Sequence, residues 1–317
     1  MQGILKDFHD FEPEQESFLS AVLNGLRKQQ KSIPSKFFYD ERGSGLFDQI
    51  CELDEYYPTR TELQILKDHS ADISAVLGSR AHLIEFGSGS STKIRTLLDA
   101  MEQPLSYVPM DISRDHLLIA AKRLAGSFPD LPVIAICADY TSDFPFPNLG
   151  GGRKTGFFPG STIGNFTPRE ATEFLKKARN LLEGGGMLIG VDLLKDEKIL
   201  HAAYNDTLGV TADFNLNLLK RCNQELKGGF DISKFEHRAF LNREKSRIEM
   251  HLISLCDQIV PLDGERIAFR EGETIHTENS YKYSVESFQA LAEEAGFSPQ
   301  AVWTDSASLF SVHYLKS

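Results

Sequence analysis

The run Glu85-Phe86-Gly87-Ser88-Gly89-Ser90-Ser91-Thr92-Lys93 gathers an acid, two close glycines, small hydroxyl residues and a cation. Glycine lets a backbone approach a bound group closely, and a helix start offers unpaired N–H groups. Such a run can cradle a nucleotide-like cofactor. A tight strand-to-helix turn with no ligand is the alternative. Further acids close apolar runs downstream, at Asp111, Asp139 and Asp192. Asp111 lies 24 residues after Gly87, near the ~20-residue spacing at which an acid meets ribose hydroxyls. An ionised carboxylate has two acceptor oxygens, enough for both hydroxyls. Asp139 is placed to accept from an adenine amino group. Either aspartate could instead cap a helix N-terminus.

The elements that would position these groups alternate. Residues 83–86 are a short buried strand, and a helix starts near Lys93. Strands follow at 107–110, 133–137, 156–160 (weakened by Pro159) and 187–191, with helices over 113–125 and 169–182. This alternation predicts an α/β fold with a parallel sheet, whose ligands sit beyond the C-terminal strand ends. All the acids named above fall there. A dinucleotide fingerprint wants a third glycine where Thr92 stands. The remaining Glu85-x-Gly87-x-Gly89 resembles motif I of the class I methyltransferases, which bind S-adenosylmethionine (SAM).

The flanks read differently. Residues 14–30 carry Phe18, Leu19, Val22, Leu23 and Leu26 at helical spacing. Aromatic segments follow at 37–47 and 55–62, and can line a pocket or fill core under a loop. From 196 the alternation stops: 197–226 looks helical and 247–275 reads as strands in hairpins. A helix over 285–295 and strands at 301–304 and 310–315 then suit the end of the sheet. The expectation is a discontinuous arrangement. Residues 61–195 and 285–317 form a class I (Rossmann-like) sheet domain, and 1–60 with 196–284 form an α+β substrate-binding domain.

Composition narrows the partners. The chain has 317 residues and a formal charge of -11, with no dense Lys/Arg run, so nucleic acid is not expected. No apolar run approaches the ~20 residues of a membrane span, and the N-terminus lacks the basic-then-apolar order of a signal peptide. Cys51, Cys137, Cys222 and Cys256 are far apart, as expected of buried thiols rather than a metal site. A cytoplasmic monomer without a metal is the expectation.

Together the segments resemble the histidine-specific SAM-dependent methyltransferases. The stretches that carry the resemblance are Phe37-Phe38-Tyr39-Asp40, Gly43-Ser44-Gly45-Leu46-Phe47, Tyr56-Tyr57-Pro58-Thr59-Arg60-Thr61-Glu62, Phe86-Gly87-Ser88-Gly89, Gly160-Ser161-Thr162-Ile163-Gly164-Asn165, Gly209-Val210-Thr211-Ala212 and Arg247-Ile248-Glu249-Met250. The resemblance implies SAM as cofactor and trimethylation of the α-amine of L-histidine to hercynine, the first step of ergothioneine biosynthesis. It implies that Asn165 and Tyr204 hold the substrate carboxylate, and that Glu278 and Ser280 bond the imidazole nitrogens. Tyr39, as the catalytic residue, and Tyr56 lie near the amine, and Met250 lines the side-chain pocket. Gly87, Lys93, Asp111 and Asp139 match the family's SAM contacts. One departure is Asn279, where a small apolar residue is expected; it should point away from the site. Two alternatives stay open: a methyltransferase of another amine, such as a tryptophan derivative, and a non-catalytic SAM-binding regulator.

Overall fold

A computed structural model describes residues 5–11, 17–88 and 92–317. In chain order it begins with β1 (Leu5–Asp10), α1 (Phe18–Leu26), β2 (Lys31–Ser32), α2 (Glu41–Glu52), α3 (Tyr57–Asp68), α4 (Ser70–Leu77) and β3 (Ala81–Phe86). The central alternation is α5 (Thr92–Ala100), β4 (Ser106–Asp111), α6 (Arg114–Ser127), β5 (Val133–Cys137), β6 (Arg153–Phe158), α7 (Pro168–Leu182) and β7 (Gly186–Asp192). Then come α8 (Glu197–Tyr204), α9 (Val210–Glu225), β8 (Phe235–Asn242), β9 (Arg247–Ser254), β10 (Gln258–Leu262), β11 (Glu265–Phe269) and β12 (Thr274–Tyr281). The chain closes with α10 (Val285–Glu294), β13 (Ser298–Thr304) and β14 (Phe310–Lys316).

The described chain divides into two compact units. The first takes residues 5–11, Pro58–Leu194 and Tyr283–Ser317; the second takes residues 17–57 and Lys195–Lys282. The sheet of the first unit has eight strands in the order β1-β5-β4-β3-β6-β7-β14-β13. Neighbours from β1 to β7 run parallel, β14 runs antiparallel to β7, and β13 runs antiparallel to β14. β3, β5 and β7 are buried along their whole length, which is why they read as continuous apolar runs. Leu83, Val133, Phe157 and Leu188 join Leu97, Leu117 and Ile65 in one core. α7 shows how the covering helices are specified. Thr167 and Glu170 form a capping box, Pro168 opens the first turn, and Ala171, Phe174, Leu175, Ala178 and Leu182 turn inward. The order reverses at β3: the chain moves outward through β4 and β5, then returns to β6 on the other side. That switch point opens a crevice at the C-terminal strand ends.

Two features depart from the expected arrangement. Residues 5–10, expected with the substrate-binding domain, pair in parallel with β5 as an edge strand. Their side chains Lys6, Asp7 and Asp10 stay solvated, as edge strands commonly require. β8, which the sequence pattern does not mark as a strand, is the edge of a four-stranded sheet in the second unit ordered β2-β12-β9-β8. α9 packs on β8 and β9, and α2 packs on α9. β10 and β11 form a separate hairpin.

Candidate functional site

In the first unit the glycine loop follows β3. Gly87 has φ +77°, a left-handed conformation that glycine adopts without strain. Its N–H donates to the Met110 carbonyl at 2.8 Å, and the Ser88 N–H reaches the same oxygen at 3.2 Å, so the loop is tied to the end of β4. Gly89, Ser90 and Ser91 lie outside the described residues. Lys93 stands in the first turn of α5, and its Nζ lies 2.5 Å from Oε2 of Glu62. Glu62 is fully buried and also accepts the Gly160 N–H, at 2.8 Å on Oε2 and 3.1 Å on Oε1. One carboxylate thus ties the start of α5 to the turn after β6. Sequence reasoning gives Lys93 a role but quotes Glu62 only as the end of a motif stretch. The signal exists: Pro58, Glu62, Ile65 and Leu66 share one face of α3, so an acid falls at a core position.

The carboxyl groups at the strand ends differ in state. Glu85 is buried beneath the loop, its pKa pushed up to about 8 by burial even though the Tyr107 hydroxyl donates to it. It is therefore mainly neutral at pH 7. Asp111 is also pushed up by burial, opposed by the Ser113 N–H that its Oδ1 accepts at 2.8 Å. Ser113, not Asp111, is the cap residue of α6. Asp139 starts no helix. Its Oδ1 accepts from the Thr141 N–H at 2.8 Å and hydroxyl at 2.6 Å, and its Oδ2 from Ser142 at 3.3 Å. The helix-cap alternative therefore fits neither aspartate. Tyr140, another residue that sequence reasoning leaves out, meets Phe86, Phe158 and Phe174 edge-on, with its hydroxyl near Gly87. Asn165 closes the short turn Thr162–Asn165 after Gly160 and is half-buried.

The second unit brings together the other named side chains. A bulge between His276 and Glu278 shifts the pairing of β12 with β9. Beyond it, alternation puts Glu278, Ser280 and Lys282 on one face, and Glu278 lies directly opposite Met250. Met250 is buried. Burial pushes the Glu278 carboxyl up to about 7, against the pull of the nearby Lys282 cation. The Tyr204 hydroxyl donates to Ser280 Oγ at 2.8 Å. Lys282 Nζ donates to Ser280 Oγ at 2.8 Å and to the Tyr204 hydroxyl at 3.0 Å. Tyr56 stands edge-on to Tyr204 at 6.4 Å between centroids, and to Phe47 at 6.3 Å. Phe47 in turn meets Tyr39 at 5.6 Å. Burial, then the neighbouring Tyr204, keeps the Tyr56 phenol protonated well above its ordinary range. Tyr39 is 43% exposed, the wettest member of this aromatic wall. Asn279 falls opposite Glu249 and faces away from Glu278 and Ser280. Lys282 is the main residue here that sequence reasoning missed.

Behind the same sheet, Glu249, His251 and His276 lie close enough to suggest a metal centre. Their geometry argues otherwise. The two imidazole rings stack at 4.7 Å and 14°, so their in-plane lone pairs run parallel instead of converging on an ion. Oε1 of Glu249 already accepts from Arg247 at 2.8 Å and Asn242 at 2.9 Å, and Oε2 bonds His251 at 3.0 Å. Although burial alone would raise it, these partners hold the Glu249 carboxyl down at about 2.

Comparisons with known proteins add to this geometry. A family model described as "Histidine-specific methyltransferase, SAM-dependent" matches residues 18–317. The chain is 42% identical to a histidine N-alpha-methyltransferase of Mycolicibacterium smegmatis over 299 residues, covering 92% of each chain. It is 39% identical to the protein of that name from Mycobacterium tuberculosis, again covering 92% of each. It is 31% identical to ergothioneine biosynthesis protein 1 of Neurospora crassa, covering 86% of this chain and 32% of that one.

Proposed function

The chain belongs to the histidine-specific SAM-dependent methyltransferases, and from that premise we propose how its two units divide the reaction. It uses SAM to methylate the α-amine of L-histidine, giving hercynine, the first step of ergothioneine biosynthesis. The first unit is the SAM-binding unit and the second the amino-acid-binding unit. The observation that carries this reading is the Tyr204–Ser280–Lys282 cluster with Glu278 on the same strand face.

The residues of the first unit fit SAM. Gly87 gives the loop a position without a side chain, Asp111 a carboxyl for ribose hydroxyls, and Asp139 an acceptor for an adenine amine. Lys93 acts through Glu62, holding the loop helix to the Gly160 turn. When bound, SAM supplies an electrophilic methyl on a sulfonium centre.

The second unit then selects and orients the amine. Glu278 and Ser280 take the imidazole nitrogens, with Met250 against the ring. Side chains without those nitrogens would leave buried polar groups unpaired. Tyr204 donates to the carboxylate, and the carboxylate role of Asn165 rests on its family motif alone. An α-amine is mostly protonated at neutral pH, so it must lose a proton before it attacks. Tyr56 stays neutral and is no base. Tyr39, open to solvent, orients the amine and passes its proton to water. Rate then comes chiefly from positioning, and the aromatic faces of Tyr39, Phe47 and Tyr56 tolerate the growing cation. No helix among the described residues is long and apolar enough to cross a membrane. A cytoplasmic monomer completes the proposal, and light scattering on a sizing column reads the oligomeric part.

Mass spectrometry of L-histidine incubated with the protein and SAM tests the function. Stepwise methyl gains ending at the trimethylated betaine are expected. No gain in a protein shown to bind SAM would reject histidine and move the search to other amines, beginning with tryptophan derivatives.

A further inference from the structure

The strand that carries Glu278 is irregular just before it. His276 lies opposite His251 and Glu278 opposite Met250, so Thr277 is the extra residue of the bulge. Side chains alternate along a strand. His276 and His251 share the face behind the site. An unbroken strand would pair Thr277 with Met250 and turn Glu278 to that rear face, opposite the ionised Glu249. The inserted residue turns Glu278 to the Met250 face instead, and Ser280 follows it.

The bulge is pinned from both faces. Thr277 is buried, and its hydroxyl reaches Oδ1 of Asn215 at 2.8 Å and the Met250 carbonyl at 3.0 Å. On the rear face, His276 Nε2 donates to the Glu278 carbonyl at 3.0 Å. Asn215 is fully buried on α9. Its Nδ2 donates to the His251 carbonyl at 3.0 Å and to His237 Nδ1 at 2.9 Å. A carbonyl only accepts, so the amide nitrogen must face β9 and the amide oxygen Thr277. His237 Nε2 donates to the Tyr204 carbonyl at 2.8 Å, which leaves Nδ1 as the acceptor. Burial lowers the His237 pKa and keeps that nitrogen bare. Asn215 is thus fixed to β8 and β9 and presents one acceptor to the bulge. We propose that Thr277 and Asn215 are positioning residues that lock the bulge and so aim Glu278 at the substrate ring. This rests on the reading that Glu278 meets an imidazole nitrogen. Both residues act through Glu278, so their effect falls on histidine and not on SAM.

The test is steady-state kinetics of histidine methylation by the full chain with SAM saturating. Thr277→Val keeps the β-branched shape and removes only the hydroxyl, leaving Asn215 Oδ1 and the Met250 carbonyl without their donor. It should lower kcat/KM for histidine about tenfold, chiefly through KM, with SAM affinity unchanged. Thr277→Ser keeps the hydroxyl and should retain most of the activity. Asn215→Ala should lose at least as much as Thr277→Val; if it does not fold, the threonine variants decide. The deciding comparison repeats Thr277→Val in a Glu278→Ala background. There it should leave kcat/KM nearly unchanged, because no carboxylate remains to be misplaced. A merely structural role would lower both backgrounds alike. Unchanged kinetics in Thr277→Val, an equal fall in both backgrounds, or a fall that Thr277→Ser shares would each overturn the proposal. Glu278→Ala with unaltered kcat/KM for histidine would overturn the imidazole reading itself, and the proposal with it.

Discussion

Glu278 is held where its own charge is costly: burial carries its carboxyl up to about 7. That cost is recovered when an imidazole N–H or a shared proton satisfies the oxygens. Glu278→Ala removes the partner and leaves a ring nitrogen buried without one. We expect histidine affinity to fall about 100-fold, with SAM affinity retained. Calorimetry with histidine on the cofactor-loaded variant reads this, and unchanged affinity would sink the imidazole assignment. Residue types alone would leave Glu278 as a solvated surface charge and Tyr204 as a core tyrosine. It is the family motif that names them. Lys282 is named by neither, and Glu62 enters only as the last residue of a motif stretch, without a role. In both cases a charge stands among apolar neighbours, a signal that shows only once the register of β12 or the face of α3 is known. The bulge after His276 hides the first, because it breaks the alternation that would have exposed it.

At the scale of elements, α3, β7 and the turn after β6 meet around one side chain. A Cβ at Gly190 on β7 would lie 2.0 Å from Oε1 of Glu62 and 3.0 Å from the Phe310 ring. Glu62 cannot swing aside without giving up Lys93 and the Gly160 N–H. Gly190→Ala should therefore cost about 1–3 kcal/mol and weaken SAM binding, since the anchor of the Gly160 turn is displaced. Glu62→Ala alone should weaken it too. The double variant should lose less than the sum, because the clash and the strut share one carboxylate. Additive losses would show that the close approach is not the cause. Elements were legible where burial is continuous: β3, β5 and β7 match their apolar runs to within two residues at either end. β1 and β8 were not. Leu-Lys-Asp-Phe-His-Asp and Phe-Glu-His-Arg-Ala-Phe-Leu-Asn are edge strands with mixed polarity. Their pairing comes from distant partners, which local pattern does not record.

For the whole molecule, buried histidines and buried carboxyls set opposite pH slopes. His313 on β14 is fully buried, and burial lowers its pKa to about 4. His82, His237, His251 and His276 are lowered for the same reason. A base with a depressed folded pKa contributes stability that is present above its unfolded value, ~6.5, and lost as pH falls through the folded one. Glu85 and Glu278 behave oppositely. Their folded values are raised to about 8 and about 7, so their contribution is full below the ordinary carboxyl range and lost as pH rises through those values. The slopes partly cancel between pH 4.5 and 6.5, which singles out His313 as the group to remove. His313→Gln takes the titration away and can still bond Ser311, which the imidazole meets at 2.9 Å. The fall in stability from pH 7 to pH 4.5 should shrink by about 2 kcal/mol. With two units, unfolding need not be a single transition, so the probe must belong to the right one. Trp303 is the sole tryptophan and sits on β13, adjacent to β14 in the first unit. Urea unfolding followed by its fluorescence therefore reports the unit that holds His313. An equal fall in the variant would mean that the acid sensitivity of this unit comes from other groups.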